Sequence, residues 1–248
     1  MTKKRLFGLL GKDIDYSFSM SYFKNKFEQE QIENTVYVNF DFQSLDSEFK
    51  QLLDSNEISG MNVTIPYKQE ILPFLDDMDA AAREIGAVNT VKFEQGKRIG
   101  YNTDAYGFEK SLLTKLNSSH TQAYILGTGG ASKAVSYVFN NLKIPHVFVS
   151  RSASESENKI SYDQLKNQVM PQGSIIVNCS PVGTYPNVED KPELSYDQID
   201  ASFLLFDLIY NPEKSAFLRA GEFRGAQIQN GYEMLVNQAE KSWEIWNN

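Results

Sequence analysis

Four short stretches put small polar or ionisable side chains where apolar runs end. They are "SFS" with Ser17 and Ser19, "NVTIPYK" with Asn62, Thr64 and Lys68, "GAVNT" with Asn89, and "NTD" with Asn102 and Asp104. Hydroxyls, amides, an amine and a carboxylate gathered in this way suit a small polar substrate and a proton relay at its reacting oxygen. A fifth stretch, "YILGTGGASKAV", is of another kind: Gly127, Gly129 and Gly130 follow an apolar strand pattern and open a helical one. Such a turn lets backbone approach a pyrophosphate and aims helix-start amides at negative charge, which is dinucleotide chemistry. Ser132 stands where a third glycine would fall and is small enough to keep helix and strand closely packed.

The next strand pattern, "HVFVSRS", ends in Ser150, Arg151 and Ser152, where an NAD enzyme would offer an acidic residue to the ribose hydroxyls. A guanidinium flanked by hydroxyls suits a 2′-phosphate, so NADP is expected over NAD. Arg151 also reads as an ordinary solvated loop charge, and Glu155 nearby could offset it.

Positioning these groups requires alternating elements. "RLFGLL", "VYVNFDF" and "GMNVTI" read as strands, separated by the helical spacings of "SYFKNKFEQEQ" and "SLDSEFKQLLDSN", with Ser44, Ser47 and Glu48 able to cap the second helix. "VNTVKFEQGKRIGYNTD" reads as a hairpin joined at Gln95 and Gly96. A second alternation runs from "QAYILG" through "HVFVSR", "SYDQLKNQ", "SIIVNCS" and "FLLFDLIY" to "AQIQNG". The fold class is therefore α/β, with mainly parallel sheets covered by helices. In the tail, Leu235, Ala239, Trp243 and Trp246 form a helical stripe expected to return to the first domain.

The chain has 248 residues, 41% hydrophobic, enough for two compact domains. A formal charge of −8 argues against nucleic acid or an anionic membrane as the main partner. The apolar run from Leu6 to Gly11 stops at Lys12 and Asp13, too short for a secretory hydrophobic region, and no run approaches a membrane span. Cys179 is the one cysteine, so no intrachain disulfide framework exists and a reducing cytoplasm is expected. His120 and His146 form no ligand cluster, and no metal is expected.

The motifs "NVTIPYK", "GAVNT", "GYNTDAYGF", "GTGGASKA", "DLIYNP" and "GYEMLVNQA" resemble, in collinear order over nearly the whole chain, those of the shikimate dehydrogenase family. The resemblance implies a two-domain α/β enzyme reducing 3-dehydroshikimate reversibly to shikimate with NADPH in aromatic amino-acid biosynthesis. Residues 1–104 with 232–248 would form the substrate-binding domain and 105–231 a Rossmann-like NADP domain. By position, Lys68 and Asp104 match the catalytic pair, and Ser17, Ser19, Thr64, Lys68, Asn89, Asp104, Tyr210 and Gln238 match substrate-holding positions. Gly127, Thr128, Gly129, Gly130, Ala131, Ser150, Arg151, Ser152, Leu208 and Gly231 match cofactor-contacting ones. A monomer or homodimer is expected.

Each residue also has a plainer reading. Ser17 and Ser19 could cap the helix containing Phe23, Asp104 could cap its own helix, Lys68 could be a surface charge, and Tyr210 could be core on the strand it shares with Leu208. The chain also departs from the family: Tyr16 and Met20 stand where His and Pro are usual around the serines, Ser150 replaces Asn, and Leu208 and Tyr185 replace Met. A quinate-oxidising relative, a methylene-tetrahydrofolate dehydrogenase and a silent metabolite-binding regulator are the competing readings.

Overall fold

The computed structural model describes residues 4–15, 17–55, 57–151 and 158–248. The chain divides into two compact units, Met1–Thr103 with Ala239–Asn248, and Asp104–Gln238.

In the first unit, β1 (Arg5–Gly11), α1 (Phe18–Gln29), β2 (Thr35–Asp41), α2 (Ser47–Asp54) and β3 (Ile58–Val63) alternate as the apolar runs require. After them come β4 (Asp77–Met78), α3 (Ala80–Ile85), β5 (Thr90–Glu94) and β6 (Lys97–Tyr101). Among the described residues the sheet order is β2-β1-β3-β5-β6-β4, with β1 parallel to both neighbours and the β5–β6 hairpin antiparallel. Gln95 (φ 51°) and Gly96 (φ 76°) close that hairpin, the two left-handed residues a tight two-residue turn demands.

The second unit holds most of α4 (Thr103–Leu113), then β7 (Gln122–Leu126), α5 (Gly130–Asn141), β8 (His146–Ser150), β9 (Lys159–Ser161) and α6 (Tyr162–Lys166). It continues with β10 (Ser174–Asn178), β11 (Leu204–Asp207), α7 (Ala216–Phe223), β12 (Gln227–Gln229) and the start of α8 (Tyr232–Asn247). Its described strands are all parallel in the order β12-β11-β10-β7-β8-β9. In local strand numbers that is 6-5-4-1-2-3, the doubly wound arrangement, with its switch point between β7 and β10 where the connections depart in opposite directions.

The end of α8 packs within the first unit. Ala239, Trp243 and Trp246 join Phe7, Leu9, Phe23, Phe27 and Tyr37 in one apolar cluster, with Phe7 and Trp246 rings 4.9 Å apart. The Trp246 indole also donates to the Val91 carbonyl at 3.0 Å. Gly60 makes room for it, since a Cβ there would sit 2.5 Å from the indole nitrogen.

Several local expectations are corrected. The N-cap of α2 is Asp46, which accepts from Glu48 N, while Ser44 donates to the Asp46 carboxylate. The apolar run "FLLFDLIY" stops being strand at Asp207, because its carboxylate captures the Ile209 amide at 3.0 Å and turns the chain, so Tyr210 lies beyond the strand. On α8 the fully or nearly buried residues are Met234, Gln238, Ala239, Ser242 and Trp246, whereas Leu235 and Trp243 are only half-buried. Among the described residues no helix is long and apolar enough to cross a membrane, and no group of three His, Cys, Asp or Glu could hold a metal.

Candidate active site

In the first unit the polar residues collect where β3, β5 and β6 meet the start of α4. Asn89, 2% exposed, immediately precedes β5. Its backbone is fixed on both sides, by Asn89 N donating to Tyr101 O at 3.1 Å and Val63 N donating to Asn89 O at 2.8 Å. Its Oδ1 accepts from Thr103 N at 2.7 Å and its Nδ2 donates to Thr103 Oγ1 at 3.0 Å. Asn102 is buried beside it, donating to Ala87 O at 2.9 Å. The strand thus ends in residues whose side chains are already committed to holding the turn into α4.

Lys68 lies half-buried in the turns after β3, and its carbonyl accepts from Val88 N at 2.8 Å, tying that turn to the segment leading to Asn89. Thr64 is half-buried at the end of β3, donating its amide to Leu10 O at 2.8 Å. Ser17 is the N-cap of α1 and accepts from Met20 N at 3.3 Å, so its plainer role is realised, while the hydroxyl proton stays available to donate. Ser19, in the first turn of α1, faces the Tyr37 hydroxyl. Burial pushes that phenol well up and the Ser19 hydroxyl acts in the opposite direction. Tyr37 therefore stays neutral and donates to Asn62 Oδ1 at 2.8 Å.

In the second unit, Asp104 occupies the first turn of α4, 5% exposed, where helix-start amides favour a negative charge. Gly107 follows one turn later because α4 and α8 approach too closely for a side chain: a Cβ there would lie 2.5 Å from Met234 O and 3.1 Å from Gln238 N. Gln238 is buried on α8 and donates to Leu235 O at 3.0 Å. Tyr210 is half-buried after β11, and burial pushes its hydroxyl pKa up.

The glycine turn sits at the end of β7, at the switch point. Gly127 has φ 109°, a conformation that favours glycine, and donates to Val149 O at 2.9 Å. Gly129 is the N-cap of α5, without a side-chain cap, and open space lies where its Cβ would be. Thr128 is exposed, Gly130 and Ala131 half-buried. Ser132, fully buried, donates to Gly129 O at 2.7 Å, so the small residue in place of a third glycine packs against the turn. Ser150 ends β8 half-buried and Arg151 follows it exposed. Ser152 and Glu155 lie outside the described residues.

Leu208 and Gly231 are brought together. A Cβ on Gly231 would meet Leu208 O at 2.1 Å, and Gly231 N donates to Ile209 O at 3.0 Å. This contact stands on Asp207, a fully buried carboxyl that accepts from Asn178 Nδ2, Ile209 N and Ser215 Oγ. Burial pushes its pKa up to about 6 against those three hydrogen bonds. Burial also pushes the Cys179 thiol well up, with the Asp207 and Asp104 carboxylates adding to the rise, so thiolate chemistry is disfavoured there.

Asp207, Tyr37, Thr90 and Ser242 were not anticipated as site supports. A carboxylate inside the apolar run "FLLFDLIY" was the one available signal. A surface cavity of about 540 Å³ in the first unit, lined by Arg5, Asp54, Glu57, Lys97 and Arg98 among others, contains none of the candidate residues.

The residues present fit a dinucleotide: an uncapped helix start, open space at Gly129, a left-handed Gly127 and an exposed guanidinium one strand over. A doubly wound sheet carrying that turn, joined in sequence to an α/β unit with a buried polar wall, defines a two-domain α/β protein of the dinucleotide-binding class. A family model described as the shikimate dehydrogenase substrate binding domain matches residues 9–91. The NADP(+) shikimate dehydrogenase of Methanococcus maripaludis is 37% identical over 264 residues, covering 99% of this chain and 92% of the relative. Shikimate dehydrogenase 1 of Peptoclostridium difficile superposes with a TM-score of 0.85 at 37% identity, covering 98% of this chain and 92% of that one. The shikimate 5-dehydrogenase of Thermus thermophilus, solved with NADP(H) and shikimate, gives a TM-score of 0.84 at 26% identity, with coverages of 98% and 93%. The chain belongs to the shikimate dehydrogenase family.

Proposed function

We propose that this protein catalyses the reversible NADPH-dependent reduction of 3-dehydroshikimate to shikimate. The observation that carries the reading is end-to-end similarity to NADP(+)-dependent shikimate dehydrogenases, covering 99% of the chain. It is supported by the glycine turn, by Arg151 in place of an acidic ribose ligand, and by the buried polar wall around Asn89.

The substrate is a ring bearing one carboxylate, hydroxyls and a reacting ketone. Ser17 and Ser19 hydroxyls donate to the carboxylate, and Thr64, Asn89, Tyr210 and Gln238 bind ring oxygens. Bound NADPH supplies the hydride. As negative charge grows on the ketone oxygen, the Lys68 ammonium stabilises it and donates the proton, a contribution worth several kcal/mol in a site shielded from water. Asp104 accepts a hydrogen bond from a substrate hydroxyl and fixes the ring's orientation. In the reverse direction Lys68 takes the proton back, directly or through water. Gly127 to Ala131 cradle the pyrophosphate, Ser150, Arg151 and Ser152 bind the 2′-phosphate, and Leu208 and Gly231 contact the cofactor. The substrate-binding role falls to residues 1–104 with 232–248 and the cofactor role to 105–231. The enzyme works in the cytoplasm as a monomer or homodimer.

A steady-state assay with shikimate and quinate against NADP+ and NAD+, read at the reduced-nicotinamide absorbance, tests this. Shikimate with NADP+ is expected to give the highest kcat/KM. Absence of shikimate-dependent reduction overturns the reading, and a quinate preference reassigns the substrate.

A further inference from the structure

Within the first unit, the Ser242 hydroxyl is fully buried although it comes from α8, about 150 residues along the chain from the strands it reaches. Asn62 Nδ2 donates to it at 2.9 Å, and it lies 2.7 Å from Thr90 Oγ1 and 3.1 Å from Thr103 Oγ1. One proton arrangement consistent with these distances links the group. Asn62 Nδ2 and the Thr103 hydroxyl donate to Ser242, Ser242 donates to Thr90, and Thr90 donates to Asn89 Oδ1 at 3.2 Å. Asn89 Nδ2 completes the circuit on Thr103 Oγ1 at 3.0 Å. A second arm runs through Asn62 Oδ1 to the Tyr37 hydroxyl, which Ser19 faces.

We infer that Ser242 is a positioning residue for the substrate-binding wall, setting Asn89 and the first turn of α4 through Thr90 and Thr103. The inference rests on the proposed roles of Asn89, Asp104 and Ser19. Its physical basis is that removing the Ser242 oxygen takes the 2.9 Å acceptor from Asn62 Nδ2 and the 3.1 Å partner from Thr103 Oγ1, leaving Asn62 Nδ2 the longer bonds to Thr90 Oγ1 at 3.1 Å and Asn89 O at 3.3 Å, and Thr103 Oγ1 the bond to Asn89 Oδ1 at 3.2 Å. Both groups then shift their hydrogen bonding toward Asn89 and Thr90.

The test compares two full-length variants from the same helix. Ser242→Ala breaks the circuit. Trp246→Phe, one turn further on, removes the indole donor to Val91 O and leaves the circuit intact. Ser242→Ala is expected to raise KM for shikimate about tenfold while KM for NADP+ stays within twofold; Trp246→Phe is expected to lower the melting temperature with both KM values within twofold of wild type. Amide hydrogen exchange gives a readout independent of substrate: the Thr103 N–H, held by Asn89 Oδ1, is expected to exchange at least tenfold faster in Ser242→Ala, with Phe23 and Phe27 amides of α1 unchanged. Equal effects of the two variants on shikimate KM, or an unchanged Thr103 exchange rate, overturn the inference. Should wild type fail to oxidise shikimate while Thr103 exchange still responds, the functional reading fails and the positioning role stands.

Discussion

Asn89 Oδ1 and Thr103 N meet at 2.7 Å, so a side chain at the start of β5 caps the helix whose second residue is Asp104. The cap reaches across 14 residues of sequence, which welds helix start to sheet. Asn89→Ala is expected to reduce unfolding free energy by about 1–3 kcal/mol, the range for losing a helix cap and stranding a buried polar partner. Urea denaturation measures it, and an unchanged midpoint would contradict the geometry.

Lys68→Ala and Asp104→Asn are each expected to lower kcat by two or more orders of magnitude, since a lost proton donor or orienting carboxylate removes stabilisation present mainly in the transition state. Circular dichroism should remain that of wild type. Near-normal turnover in either folded variant would remove that residue from the proposed chemistry.

Arg151 is exposed at the end of β8, so its replacement should leave the fold intact. Arg151→Ala is expected to raise KM for NADP+ tenfold or more and leave KM for NAD+ within twofold, because only the 2′-phosphate distinguishes the two. A parallel loss for both cofactors would mean that Arg151 does not read the phosphate.

Asp207 gives a pH prediction. Its folded pKa, about 6, lies above the ordinary 3.8, so the folded chain keeps a proton that the unfolded chain has released. Its contribution to stability is full below about pH 4 and is lost as pH rises through 6, on the order of 3 kcal/mol in all. Asp207→Asn is expected to abolish that share of the pH slope in guanidinium melts between pH 4 and 7. An identical slope in variant and wild type would show that the carboxyl does not titrate in that window.

Gly231→Ala forces a methyl to within 2.1 Å of Leu208 O, where backbone rather than a flexible side chain must yield. The expected outcome is a raised KM for NADP+ and a lowered melting temperature together. A variant with wild-type values in both would place no weight on this contact.

Local patterns told most about the fold where physics is local. The Gln95–Gly96 turn, the glycine-opened α5 and the β-branched runs were legible because turn stereochemistry and two-residue alternation act over few residues. Strands β4 and β9, of two and three residues, are too short to carry a period. Helix α3 was not anticipated, although Asp79 as N-cap and the left-handed Gly86 as C-cap punctuate it. Helix α7 is punctuated in the same way, by Ser215 as N-cap. The site residues are legible through motif resemblance, not periodicity. What supports them stayed hidden because Ser242 looks like a solvent-facing helix residue until Asn62, Thr90 and Thr103 are folded around it.

The first unit is discontinuous in sequence, with Phe7 resting on Trp246 and Asn62 on Ser242. During synthesis its N-terminal sheet therefore waits, with Phe7, Phe23 and Tyr37 bare, until the residues through Trp246 have emerged. Translation that halts early leaves a sticky half-finished layer, a ready client for chaperones and proteases.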